Sequence, residues 1–341
     1  MRKAFRIILL MLLLLAGSCD VHELPDGENY VRMTFHLLYD EEMPPYKDLT
    51  FDSKSFSQSP ELPPSYAMRT VLKVYEGEPG GTWSTVPYWK TEIIDDDYSS
   101  LDREISVMLP PKRFRAFVWS DFVRTDGSDN FFSLDGFPEV RQSSSLNTGG
   151  DFKSSFYAVD IVRMDEIMEL NASVTHDVEM IRPSAKICFY ASDIEDYLTE
   201  LRKRAASVNG YPDAITPLSI NLDSYTMKVT YLGFLPDAWN VREGLSSDSN
   251  TGHSFLGHAS LIDNGSVYFG CDYVFSGEES SIDVMLEVFD PAGVLITRLN
   301  QITIPISKGK TTTVTGRMMT HGISGSVVID PEYDGEFNIY I

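Results

Sequence analysis

The chain has 341 residues, and its 50 acidic side chains outnumber 28 basic ones to leave a formal charge of −22. That excess argues against nucleic acid and anionic membrane surfaces as partners. With 43% hydrophobic and 12% aromatic residues the sequence is too apolar for a disordered polymer, and it is long enough for two domains with full cores.

Residues 1–19 set an address. Arg2, Lys3 and Arg6 precede an apolar run over residues 7–16, which is followed by Gly17, Ser18 and Cys19. The run is too short to span a bilayer as a mature helix, and the order of basic, apolar and small residues is that of an export signal. The stretch resembles the lipobox of bacterial lipoproteins, although Ala16 stands where leucine is commonest. That resemblance implies a signal peptide over residues 1–18 and Cys19 as the acylated, palmitate-bearing first residue of the mature chain. A plain secretory signal, cut near Cys19 to leave a thiol, is the other reading. Loss of Arg2, Lys3 and Arg6 leaves 25 basic against 50 acidic residues, a mature charge of −25. No later run is apolar and long enough to cross a membrane, so the acyl chains would be the anchor, at about 0.8 kcal/mol per buried CH₂. Residues 19–28 form a polar tether in which Asp20, Glu23, Asp26 and Glu28 are scattered. Acidic residues placed just after the cysteine resemble a surface-export signal of Bacteroidetes lipoproteins; a solvated linker accounts for them equally.

Residues 31–39 alternate, with Val31, Met33, Phe35 and Leu37 against Arg32, Thr34 and His36, and predict a first strand. Pro44, Pro45, Pro60, Pro63 and Pro64 mark residues 40–64 as a long connector. Strands are predicted over 70–75, 105–109, 114–119 and 156–162, with a turn at 77–81, Pro110-Pro111 between the middle pair and Gly149-Gly150 before the last. No helix is needed before residue 180.

Residues 185–190 predict a strand after Arg182-Pro183, and residues 193–209 the one clear helix. Ser192 and Glu195 have the spacing of a capping box, and Ile194, Leu198, Leu201, Ala205 and Val208 recur along one face. Gly210 and Pro212 then stop it. Arg202, Lys203 and Arg204 complement the helix dipole, and they read either as a solvated face or as a docking patch. Beyond residue 218 the pattern returns to period two: 225–235, 267–275 after an Asn264-Gly265 hairpin turn, 282–288, 294–299, 302–306, 311–315 and 337–341. Short strands with turn chemistry between them indicate β-sandwiches. The expected fold is mainly β, with two tandem sandwich domains over 29–180 and 181–341 and one amphipathic helix in the second.

Three stretches carry a family likeness: Arg69-Thr70-Val71-Leu72-Lys73-Val74-Tyr75, Ala116-Phe117-Val118-Trp119-Ser120-Asp121-Phe122-Val123, and Arg182-Pro183-Ser184-Ala185-Lys186 before a strand and an Asp-initiated helix. Together they resemble the fimbrillin-like lipoproteins of Bacteroidales, and more narrowly an uncharacterised domain family within that group. The opening Cys19-Asp20-Val21-His22-Glu23 is similar to it as well. The resemblance implies transthyretin- or immunoglobulin-like sandwiches in series and a role in surface fimbriae. In fimbrial members a protease removes an N-terminal strand after an arginine, opening a groove for a neighbour's strand. Here residues 31–39 would be that strand, yet no arginine lies between Arg32 and Arg69, which heads a core strand. An anchor or uncleaved accessory subunit fits better than a polymerising stalk.

Catalytic and metal chemistry finds little purchase. The histidines form no HExxH motif, and His253 and His258 are five apart, which one helical face would not hold together. Residues 252–257 approach a nucleophile elbow but lack its closing glycine, and read as a loop. Asp95-Asp96-Asp97 lacks the alternating ligands of a Ca²⁺ loop. No metal, cofactor or enzymatic role is expected. Cys188 and Cys271, both in strand-like runs, either bridge or remain two buried thiols. Trp83, Tyr88 and Trp89 sit in a loop-like region near Gly80-Gly81 and Pro87, where they either stack on sugar rings or pack at a sandwich end. The expected partners are the outer membrane, through the lipid, and other fimbrial subunits or surface proteins. The alternative is a carbohydrate-binding surface lipoprotein that works beside a nutrient importer.

Overall fold

The computed structural model describes residues 30–39, 66–78, 81–95, 103–143, 150–166, 173–209, 221–262, 265–320, 328–329 and 336–340. The early strands are β1 Val31–Tyr39, β2 Tyr66–Glu76, β3 Trp89–Asp95, β4 Arg103–Leu109, β5 Arg113–Arg124, β6 Phe132–Ser133, β7 Glu139–Gln142, β8 Ser155–Arg163 and β9 Ser173–Met180. Then follow β10 Ser184–Ala191, helix α1 Ile194–Asn209, β11 Thr226–Tyr231, β12 Leu235–Asn240, β13 Leu245–Asn250, β14 Ser254–His258 and β15 Ser260–Leu261. The last strands are β16 Val267–Phe275, β17 Ser280–Phe289, β18 Leu295–Ile306, β19 Thr311–Gly316, β20 Val328–Ile329 and β21 Glu336–Tyr340. The protein is mainly β, and α1 is the one α-helix among the described residues.

Two sheets, β4-β1-β9 and β3-β2-β5-β8, enclose one core. β1 is the middle strand of the first, antiparallel to β4 and parallel to β9. Its alternation places Val31, Met33, Phe35 and Leu37 inward against Leu72, Phe114, Val118, Phe122 and Phe156. Burial of each such side chain contributes roughly 1.5–3 kcal/mol. β5 does not alternate: residues 116–123 are all buried. Ala116, Val118 and Phe122 face this core, while Phe117 and Trp119 face another. A strand covered on both faces has no polar side to show.

A second core lies between β15-β16-β10-β19-β21-β20 and β14-β11-β17-β18. Ile187, Phe189, Val229, Phe255, Phe269, Leu286 and Ile304 fill it, and Ile194, Tyr197, Leu198 and Leu201 fasten α1 to it. The capping box predicted at Ser192 and Glu195 does not form: the Ser192 hydroxyl donates to the Gly316 carbonyl, and Asp193 accepts the first helical bond, from the Tyr197 N–H. The Asp193 carboxylate is instead spent across the fold, accepting the N–H groups of Met318, Met319 and Thr320 at 2.8–3.2 Å. The strands predicted over 294–299 and 302–306 are one strand, β18, kinked where its register with β17 shifts and Gln301 takes φ +45°. An extra residue in one strand of a pair bends it without ending it.

A four-stranded sheet, β13-β12-β7-β6, joins the two parts of the chain through the antiparallel pairing of β7 with β12. Beneath it Trp119, Phe132, Tyr157, Trp239 and Phe275 pack together, with Tyr157 and Trp239 centroids 5.2 Å apart and Trp239 and Phe275 5.7 Å. These strands, with β3 and β9, are absent from the sequence reading. β13, Leu-Ser-Ser-Asp-Ser-Asn, is exposed throughout and is held by its ladder to β12 and by the ion pair of Asp248 with Arg141 of β7 at 3.0 Å. The loop predicted over 252–257 ends in strand β14, which pairs with β11.

Candidate functional site

Cys19 lies outside the described residues. Trp83, Tyr88 and Trp89 are each half-buried. Tyr88 and Trp89 pack against the first core, Tyr88 with its centroid 5.3 Å from that of Phe114. The Trp83 ring lies under the Arg113 guanidinium at 5.6 Å. Cys188 and Cys271 stand directly opposite each other across β10 and β16, both buried. His258 is exposed on β14 and His253 is buried, so the two do not converge. Among the described residues no group of three metal-ligating side chains occurs, and no helix is long and apolar enough to cross a membrane.

The junction between the two parts holds a polar cluster that the sequence reading missed. Lys153, from the turn before β8, donates to Asp272 on β16 at 2.8 Å. Tyr231 on β11 donates to the other Asp272 oxygen at 2.7 Å. Lys153, Asp272 and His253 are all buried, and with Gln142 and Tyr231 they line a cavity of about 20 Å³, the size of one water. Burial, and after it the Lys153 charge, hold the His253 imidazole below its ordinary pKa. Burial likewise lifts the Tyr231 phenol, with the Asp272 charge adding to it. The pair is a structural clasp between distant segments. A charged residue inside an apolar strand, as Asp272 is in Phe-Gly-Cys-Asp-Tyr-Val-Phe, is the signal that could have found it.

The second polar centre is Arg69, in the body of β2. Its backbone is laddered on both sides, to Ile94 of β3 and Asp121 of β5. The side chain is 4% exposed and grips Asp121 with two bonds, Nε to Oδ1 at 2.9 Å and Nη2 to Oδ2 at 2.7 Å. Nη1 reaches Asp129 at 2.5 Å. Burial opposes the Arg69 charge, but the bonds to Asp121 and Asp129 outweigh it and raise its pKa; burial raises the Asp121 carboxyl against the pull of Arg69. At the opposite end of the chain β21 runs parallel to β19, with Phe337 beside Thr312 and Ile339 beside Val314.

Residues 27–341 match the model of a family of unknown function, DUF6562. The chain belongs to that family. No curated protein matches this DUF6562 member. Among solved structures it is similar to a candidate cell-adhesion protein of Bacteroides eggerthii, at 11% identity over 93% of this chain and 99% of that one, with a TM-score of 0.41. It is also similar to a candidate polysaccharide-binding protein of Bacteroides thetaiotaomicron, at 12% identity over 79% and 80%, TM-score 0.43. The fimbrial anchor protein Mfa2 of Porphyromonas gingivalis is similar at 11% identity over 80% and 82%, TM-score 0.38. At such identities the likeness concerns the path of the chain and not its side chains.

Proposed function

We propose that this DUF6562 protein is a surface-displayed lipoprotein of the outer membrane, held by acylated Cys19, and serves fimbriae as an anchor or accessory subunit without enzymatic activity. The observation that carries the reading is the state of Arg69. It is the first arginine after β1, and therefore the first place where cleavage after arginine would release that strand. Its peptide lies inside a doubly paired strand and its side chain is sealed in an ion pair, so a protease has neither the unpaired backbone nor the accessible cation it would need. Because β1 is also a middle strand, its removal would strip one sheet of the core it covers. A subunit that keeps its own first strand is suited to ending or seating a fibre rather than extending one. Two domains, residues 29–180 and 181–341, belong to the same proposal. In the oxidising envelope the facing Cys188 and Cys271 would pass two electrons and two protons to a disulfide-bearing oxidant and form a cross-strand bridge.

One measurement tests these points together: the non-reduced intact mass and N-terminal peptide of the protein recovered from the cell surface. The expected species starts at acylated Cys19, retains β1 and weighs two hydrogens less than the dithiol. A chain beginning at Thr70 would overturn the uncleaved reading, an unacylated Cys19 the anchor, and a full dithiol mass the bridge.

A further inference from the structure

The outer face of the sheet β3-β2-β5-β8 is divided along its length. Around Trp119 and Tyr157 it is covered by the junction cluster. Farther along the cover thins and cations gather: Lys90, Arg113, Arg163 and Arg242 are exposed, while Lys73 and Arg115 are half-buried at its margin, Lys73 with its ammonium 4.7 Å from the Phe137 centroid. Leu72, Val74, Phe114, Ala116 and Val162 point into the core, so Lys73, Arg113, Arg115 and Arg163, one residue off, take the opposite face. The register sets Lys73 directly opposite Lys90 and Arg113 directly opposite Arg163. Arg115 stands between these pairs, opposite Tyr75. Arg242, in the turn after β12, closes over it: Arg115 Nη2 donates to the Arg242 carbonyl at 3.0 Å, and both guanidiniums lie over the Phe117 ring, at 5.1 and 5.8 Å.

Like charges directly opposite on neighbouring strands destabilise a sheet. Two such pairs on one face, in a chain so rich in acid, are not what composition alone would produce. Glu92, Asp165, Glu166 and Glu243 are the acids that act on these cations; among the described residues only Glu166 forms an ion pair with one of them, with Arg163 at 2.9 Å, and it raises the Arg163 pKa. The repulsion registers on the side chains themselves: burial lowers the pKa of Lys73, with Lys90 adding to it, and burial followed by Arg242 lowers that of Arg115.

We propose that this face binds an anionic polysaccharide, whose repeated carboxylate or sulfate groups pair with Lys73, Lys90, Arg113, Arg115, Arg163 and Arg242. From β3 to β8 the strands span about 14 Å, room for several charges of one chain. A protein partner would need a desolvated apolar centre, and the large apolar side chains exposed on this sheet, Ile94 of β3 and Ile161 of β8, stand on its two opposite edge strands and form none. Recognition rests on cations and not on ring stacking, since Arg113 already covers Trp83. The acidic remainder of the surface does not forbid it, because salt screens charges beyond about 8 Å at physiological ionic strength. The site is independent of the fimbrial reading.

The test uses the full-length protein in detergent, titrated calorimetrically with heparin, polygalacturonate, neutral dextran and polyglutamate. Binding to heparin or polygalacturonate, none to dextran, and a loss of at least about tenfold on raising salt severalfold are expected. The double variant Lys90→Gln/Arg163→Gln, altering two exposed side chains, should bind about tenfold more weakly while its unfolding midpoint stays level or rises. Arg113→Gln/Arg242→Gln should weaken binding in the same direction. Failure to bind either acidic polysaccharide, or full affinity in both folded variants, overturns the proposal. Preference for polyglutamate overturns it too, in favour of an acidic protein.

Discussion

Arg69 stands in the sequence as a cation heading an apolar run, and Asp121 as an anion inside another; neither has a reason to be there alone. The fold places them side by side with the carboxylate 1% exposed. Desolvation makes such a pair a weak source of net stability but a costly one to break, because the survivor is left charged and dry. Arg69→Ala should therefore lose about 3–5 kcal/mol in urea unfolding, while the paired replacement Arg69→Met/Asp121→Leu should recover most of that loss. If the single and double variants unfold alike, the pair is not the source of the cost. The pairing of the two charges was not read from the sequence, where 52 residues separate them. Nor were their bidentate geometry and the third contact to Asp129, since residue 129 sits in a turn with no apolar context to mark it.

At the scale of elements, period-two alternation sufficed where a strand shows one face to a core and the other to solvent, as β1 and β17 do in part. In β5, buried on both faces, it found the strand over 114–119 but not its continuation to Arg124, and it missed β13, buried on neither. It also could not show why residue 257 must be glycine. β14 crosses β16 so closely there that an added Cβ would lie 1.7 Å from the Phe269 carbonyl oxygen. Gly257→Ala should cost more than about 3 kcal/mol or abolish folding, since neither backbone can yield. Gly252→Ala, at φ +85° but in open space, should cost only about 1–2 kcal/mol, the ordinary penalty of left-handed backbone. Comparable denaturation midpoints for the two would show that backbone contact is not what sets the Gly257 cost.

For the molecule as a whole, the junction couples pH to stability. His253 is held below its ordinary value of 6.5 by burial and by Lys153, with Asp237 and Asp272 pulling the other way. Its folded form resists protonation, so as pH falls below about 6.5 the unfolded chain takes up the proton first and stability drops. The protein should be measurably easier to unfold at about pH 5.5 than at about pH 7.5, and His253→Gln should flatten that difference. An unchanged slope in the variant would place the acid sensitivity elsewhere.

The sequence alone determined that the chain is mainly β, that one amphipathic helix follows residue 192, and where several strands run. These are local properties, written in alternation, in helical spacing and in turn residues that need no distant partner. The tertiary structure decided that β7 and β12 share a sheet, that Lys153 meets Asp272, and that four cations of β2, β5 and β8 crowd one face. Those outcomes depend on register and on which face of a strand is covered, and a one-residue shift in pairing would reverse every one of them.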